Sequence, residues 1–457
     1  MKKLAPWFLL VALFCFSFAA FAQNIANDAL PRSAAAGLHP MHDNPTIGLH
    51  SHGLFPTPQG FPAGVDTITN FTGHFEAQGV FFNNTPHQQW EYSMVGNSPT
   101  RGGTTVFNAP IVPVSLDLRD ANNNPRFVKL NPDGSVSNCA NSTDAGCKPL
   151  VSDVTPFIQP FVNGPVFNGL STYSSSSVPT QITDAVQKAE FGRLARPDWH
   201  TLLAASVKAP ETMTIDQSVN SHHLPEYQFI LNDDGSCCFL VFIREDVFNT
   251  LLFPQNAAGP DNNSIIGQAE VAGQITTKDI STFLFPNAYL FSPSTGGCCV
   301  LGFHSFDFEP GNAINLPDNG NRQRFFVLNY SSWISPGIFG GGFEDVTANS
   351  HEIAETFNDP FVGFDGLHNV TPFWQNPAGQ CQDLMEDGDV IEDLDAFGDV
   401  TYPVTVNNFT YHPQNEALLP WFEFQQNSSA IDNAYSYPNE AILTSLSLPQ
   451  PLNCGQQ

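Results

Sequence analysis

The stretch Ser350-His351-Glu352-Ile353-Ala354-Glu355-Thr356-Phe357-Asn358-Asp359-Pro360 decides how this chain is read. His351 and Glu355 stand four residues apart, and on a helix that spacing sets both side chains on one face, within reach of one cation. Glu352 lies beside them, where HExxH metallopeptidases keep their general base. The second ligand position holds Glu rather than His. That adds negative charge and makes a bound ion a poorer Lewis acid. The pattern predicts a helix over about 346–357, with Asp345 as N-cap and Asp359-Pro360 as its end. Val346, Ser350, Ile353 and Phe357 share one face, with His351 and Glu355 on the opposite side. Two readings follow: the polar face lines a metal site, or it is an exposed, wet stripe.

A catalytic zinc takes three protein ligands and keeps one position for water. His351 and Glu355 supply two. The third is Asp359, two turns further on, or His304, in Gly302-Phe303-His304-Ser305 just past an apolar strand. Glu352 is then the base that takes a proton from water. Asp383, Glu386, Asp387 and Asp389 form an acidic stretch of oxygen donors that would suit calcium. Their spacing is not that of an EF-hand loop, and a solvated acidic loop is the simpler reading. No G-x-S-x-G element or P-loop lysine motif is present.

Outward from this helix, strands dominate. Ala109–Leu116 and Arg324–Tyr330 are apolar runs of strand length, as is Gly79-Val80-Phe81-Phe82. Gln181 to about Phe191 is helical in period, with Asp184 near its start and Gly192 and Pro197 to stop it. The turn-rich stretch 120–149 carries Cys139 and Cys147, which are expected to bridge each other. Gly235-Ser236-Cys237-Cys238 and Gly296-Gly297-Cys298-Cys299 echo one another, each preceding an apolar run. Successive strand residues point to opposite faces, so one Cys of each pair is expected to meet its counterpart across neighbouring strands, with no bridge between adjacent cysteines. The fold class is α+β: a mixed sheet with few helices, loop-rich and disulfide-stabilised.

The beginning of the chain reads as a secretory signal peptide over residues 1–22. Lys2 and Lys3 precede an apolar run, and Ala20-Phe21-Ala22 is an A-x-A-like cleavage site. Removal of Cys15 with it leaves eight cysteines, an even number suited to an oxidising compartment. Residues 23–65 read as a loosely ordered leader. Its His39, His42, His50 and His52 match no standard metal spacing, so a solvated stretch is preferred. A strand-rich part over 66–230 and a zincin-like part over 231–457 complete the organisation. Acidic residues outnumber basic ones 44 to 16, for a formal charge of −28. That balance argues against nucleic acid and anionic membrane as partners.

Ser350–Glu355 followed by Asn358-Asp359-Pro360-Phe361-Val362 resembles the H-E-x-x-E-x-x-x-[ND]-P-x-V segment of the EXORDIUM / phosphate-induced-protein family, known from plant cell walls and with secreted bacterial relatives. Cys299-Val300-Leu301-Gly302-Phe303-His304 resembles that family's Cys-x-x-G-aromatic-His strand. Asp383-Leu384 resembles its E-x-x-D-L-C element, with Gln380 at the Glu position and Met385 at the Cys position. The likeness covers about 280–390. It implies an extracellular, secreted or periplasmic protein with a zincin-like helix, and His304, His351, Glu352, Glu355, Asp359 and Asp383 as the site set. It implies no particular reaction.

The expectation is a secreted, zinc-dependent, peptidase-like hydrolase acting on a peptide or cell-wall polymer. The competing expectation is a non-catalytic extracellular or cell-envelope binding protein with a vestigial HExxE helix.

Overall fold

The computed structural model describes residues 28–35, 38, 66–76, 89–173, 178–217, 225–255, 262–292, 297–309, 324–340, 342–362, 370–375, 381–392, 400–444 and 446. The signal segment, the four leader histidines, Gly79–Phe82 and Cys454 lie outside them, as do the side chains of Cys381 and Asp383.

A mixed sheet of seven strands forms the frame. Its strands are β1 (Thr104–Leu118), β2 (Val151–Ser152), β3 (His200–Val207), β4 (Glu211–Ile215), β7 (Ile280–Pro286), β10 (Gly302–Glu309) and β11 (Arg324–Trp333). The order runs β10-β11-β7-β1-β2, and β3 and β4 also pair with β1. The β11-β7, β7-β1, β1-β3 and β1-β4 pairings are parallel; β10-β11 and β1-β2 are antiparallel. Pro113 lies where the partner of β1 changes from β3, which ends opposite Ile111, to β4, which begins opposite Val114. A residue without an N–H is tolerated at such a break. The sheet takes strands from both sides of residue 230. A second sheet runs β5 (Tyr227–Ile230), β6 (Leu240–Arg244), β8 (Ala288–Phe291), β9 (Cys298–Val300).

Seven α-helices occur among the described residues: α1 (Thr155–Val162), α2 (Ile182–Phe191), α3 (Glu245–Leu252), α4 (Ile265–Val271), α5 (Thr347–Asn358), α6 (Asp387–Glu392) and α7 (Leu419–Phe422). None is long and apolar enough to cross a membrane. α5 is the expected HExxE helix and α2 the expected helix at 181–191. The expected strands at 109–116 and 324–330 lie within β1 and β11. The architecture is α+β, with few helices and disulfide support.

Part of the expected leader packs on the second sheet: Leu30 N–H donates to Phe229 carbonyl, and Leu30 and Ala35 are buried. Cys139 and Cys147 are bridged, as expected. The expected cross-strand pairing of the other cysteines is incorrect. Cys237 bonds Cys238, and Cys298 bonds Cys299, each with Cα atoms 3.0 Å apart across a cis peptide. The topology explains why the two pairs do not meet, since β8 runs between β6 and β9.

α5 owes its position to its apolar face. Val346, Ile353 and Phe357 join Phe306 and Phe308 of β10 and Val327 and Trp333 of β11 in one core cluster. Burying each such side chain contributes about 1.5–3 kcal/mol. The opposite face is equally enclosed. Ala348 packs with Met385, Val390 and Ile391, from α6 and the turn before it. All of Thr347–Asn358 is buried, so the wet-stripe reading of the polar face is overturned.

Candidate metal centre

Three segments far apart in sequence bring their polar side chains together. α5 supplies His351, Glu352 and Glu355. β10 supplies His304, which falls on the same strand face as Phe306 and Phe308, the face α5 covers. α6 and the residue before it supply Glu386 and Asp389. His304 and His351 are 3% and 5% exposed, and Glu355, Glu386 and Asp389 are 0% exposed.

Glu355 sits at the middle. Its Oε1 is 3.1 Å from His351 Nε2, which is in turn 3.5 Å from Asp389 Oδ1. Its Oε2 is 3.3 Å from His304 Nδ1, which is 3.6 Å from Glu386 Oε2. The ligand atoms of His351, Glu355 and Asp389 all lie within 4.8 Å of one another, and so do those of His304, Glu355 and Glu386. Among the described residues, neither ring nitrogen of His304 and not Glu355 Oε2 makes a hydrogen bond. Buried polar atoms left in that state are costly unless something else engages them.

The surroundings orient these ligands. Gln414 Nε2 donates to the Gly388 carbonyl, which turns Gln414 Oε1 toward His351 Nδ1 at 3.1 Å. Nδ1 is therefore a donor, and Nε2 is the nitrogen that faces Glu355 and Asp389. Gly388 N–H donates to Glu355 Oε1. Two glycines let the parts approach. A Cβ on Gly388 would lie 2.5 Å from His351 Nδ1, and one on Gly302 2.5 Å from Glu352 Oε1.

Burial and opposite charge compete throughout the cluster. Burial opposes a charge on His351, but Glu355, Glu352 and Glu392 outweigh it and hold its pKa well above the ordinary value. Burial likewise opposes charge on Glu355, yet His351 and His304 hold its carboxyl below the ordinary carboxylate range. Around this pair, burial first and neighbouring carboxylates second push Asp387 and Glu416 well up. Burial also raises Glu190 to about 8, although Asn358 donates to it.

Of the expected site set, His304, His351, Glu352 and Glu355 come together. Asp359 is buried at the C-cap of α5 but belongs to neither ligand group. The calcium stretch is corrected in part: Glu386, Asp387 and Asp389 are fully buried rather than solvated, and two of them face the histidines. Asp345 is corrected as N-cap. Val346 takes that place without a side-chain bond, while Asp345 accepts from Val346 N–H, His412 N–H and His412 Nδ1. Glu344, Asp345 and His412 form a third acidic-histidine group, and these bonds satisfy its Asp345 as a latch.

A cavity of about 800 Å³ lies on another face of α2, lined by Ala185, Lys188, Ala189, Arg193, Arg196 and His200 among others. Glu190, on the same helix, instead reaches Asn358 beside the centre. No protein-family model, curated protein or solved structure matches this chain.

Proposed function

We propose that this chain is a secreted metal-dependent hydrolase, peptidase-like in chemistry, with zinc as the ion and a relative of the EXORDIUM family. The observation that carries the reading is the convergence of His304, His351, Glu355, Glu386 and Asp389 at nitrogen–oxygen separations of 3.1–3.6 Å. Zinc bonded to nitrogen and oxygen at about 2.0–2.2 Å in tetrahedral geometry separates its ligands by roughly 3.4 Å. Neutral hydrogen bonds would close to about 2.9 Å.

A bound divalent ion supplies Lewis acidity, polarising a carbonyl and acidifying water. The chain supplies the rest. Glu352 lies beside the ligands, with Oε2 3.9 Å from His304 Nδ1. It takes the proton as water oxygen bonds to the scissile carbonyl carbon. It then passes that proton to the amine nitrogen as the C–N bond breaks. His351 is kept in the correct tautomer by Gln414.

The test is metal content together with hydrolysis of a mixed peptide substrate. About one zinc or more per chain and chelator-sensitive cleavage, both lost in Glu355→Ala, is the expected result. A chain that holds no metal when prepared without chelators overturns the reading.

A second reading has its own observation. Every ligand is at most 5% exposed, and the 800 Å³ cavity lies elsewhere. A non-catalytic envelope-binding protein stabilised by a buried ion accounts for both. Metal without cleavage of any peptide in the mixture selects it.

A further inference from the structure

We infer that the centre holds two divalent ions bridged by the carboxylate of Glu355. This deepens the metal-dependent reading above and rests on it. The two oxygens of Glu355 face different histidines. Oε1 is 3.1 Å from His351 Nε2 and Oε2 is 3.3 Å from His304 Nδ1. Each histidine has its own second carboxylate, Asp389 at 3.5 Å and Glu386 at 3.6 Å. The result is two ligand triads of the same composition, one histidine and two carboxylates each, with Glu355 common to both.

A single ion does not satisfy this arrangement. Held by Oε1, His351 and Asp389, it leaves the buried His304 ring and Glu355 Oε2 without hydrogen bonds among the described residues. Held on the other side, it leaves His351 Nε2 and Asp389 facing each other across 3.5 Å. A carboxylate that gives one oxygen to each of two ions suits the separation of about 3.5–4 Å in two-metal hydrolytic sites. Charge agrees with geometry. Glu355, Glu386 and Asp389 bind as deprotonated ligands and Glu352 is ionised to act as the base, so four negative charges share this buried space, and two dications match them. One dication would leave two negative charges uncompensated, an expensive state in an interior.

The histidine pair and the mixed donor set exclude a calcium-only centre, since calcium prefers oxygen alone. Zinc, manganese and cobalt all accept one imidazole with carboxylates.

The experiment is a titration of the full-length secreted chain, stripped of metal, with Zn²⁺ alone, read by mass spectrometry for stoichiometry. The same chain loaded with Mn²⁺ is then read by electron paramagnetic resonance. Two ions per chain with an exchange-coupled manganese signal is the expected result. Glu386→Gln and Asp389→Asn should each fall to about one ion per chain and lose the coupling. One ion in the native chain overturns the bridged pair while leaving the mononuclear hydrolase standing. Two ions without coupling overturn the shared carboxylate. No bound ion overturns both readings.

Discussion

At the residue scale the centre depends on atoms that are absent as much as on those present. Gly388 and Gly302 have no Cβ where one would strike His351 or Glu352. Gly388→Ala is expected to displace the His351 ring, cost about 1–3 kcal/mol of stability as an overpacked site, and lower metal content. Gly302→Ala strikes the Glu352 side chain first, so it should keep its metal and lose hydrolysis. Metal analysis and peptide cleavage on the two variants check this, and equal metal loss in both would refute the division of roles. Glu352→Gln keeps shape but not basicity. Cleavage should fall about 10²- to 10⁴-fold with metal content unchanged, since Glu352 is placed as base and not as ligand. If Glu352→Gln empties the centre instead, Glu352 is a ligand.

At the element scale the question is what holds α5 at its depth. Its N-terminus is latched by His412, whose Nδ1 donates to Asp345 Oδ2 at 2.8 Å. That hydrogen bond, with burial opposing and the charge of Asp345 assisting, raises the His412 pKa above 6.5. A histidine raised in the folded state contributes its full stabilisation below the unfolded value and loses it as pH climbs through the folded one. Below about pH 6, His412→Gln should therefore be less stable than wild type by about 1 kcal/mol, and the gap should close at alkaline pH. Denaturant melts across pH would show it, and a constant gap would mean the latch carries no charge.

Elements also explain what sequence could disclose. α5 was legible because His351, Glu352 and Glu355 fall on helical spacing beside the apolar positions Ile353 and Phe357. β1 and β11 were legible as apolar runs. α6 was not: it is six residues long, opens Asp-Gly-Asp, and carries Gly388 in its interior, against helix propensity. Its burial against α5 overrides that preference, and only this burial brings Glu386 and Asp389 up to His304 and His351. α1 was hidden by Pro160 in its interior. Nothing local in the Cys-Cys pairs reveals that β8 separates their strands.

At the scale of the whole molecule, the chain carries a formal charge of −28 and buries several carboxylates together. Glu355, Glu386 and Asp389 are all 0% exposed. Solvent cannot offset such charge, so the native state gains more from a cation than a surface cluster would. The side chains of the centre come from β10, α5 and α6, so an ion there ties the large sheet to α5, which packs on it, and to α6, which packs on α5. Anything that binds only the folded state stabilises it by mass action, about 2.7 kcal/mol when free ion exceeds its dissociation constant 100-fold. For a large domain each kcal/mol moves the melting temperature by about 2–4 °C. A strong chelator should thus lower the wild-type melting temperature by about 5–10 °C, reversibly on returning Zn²⁺. Glu355→Ala lacks the carboxylate common to both triads, so its melt should be indifferent to chelator and zinc alike. A wild-type melt that ignores chelation, with metal removal verified on the same sample, would mean that His304, His351 and their carboxylates are held by the fold alone.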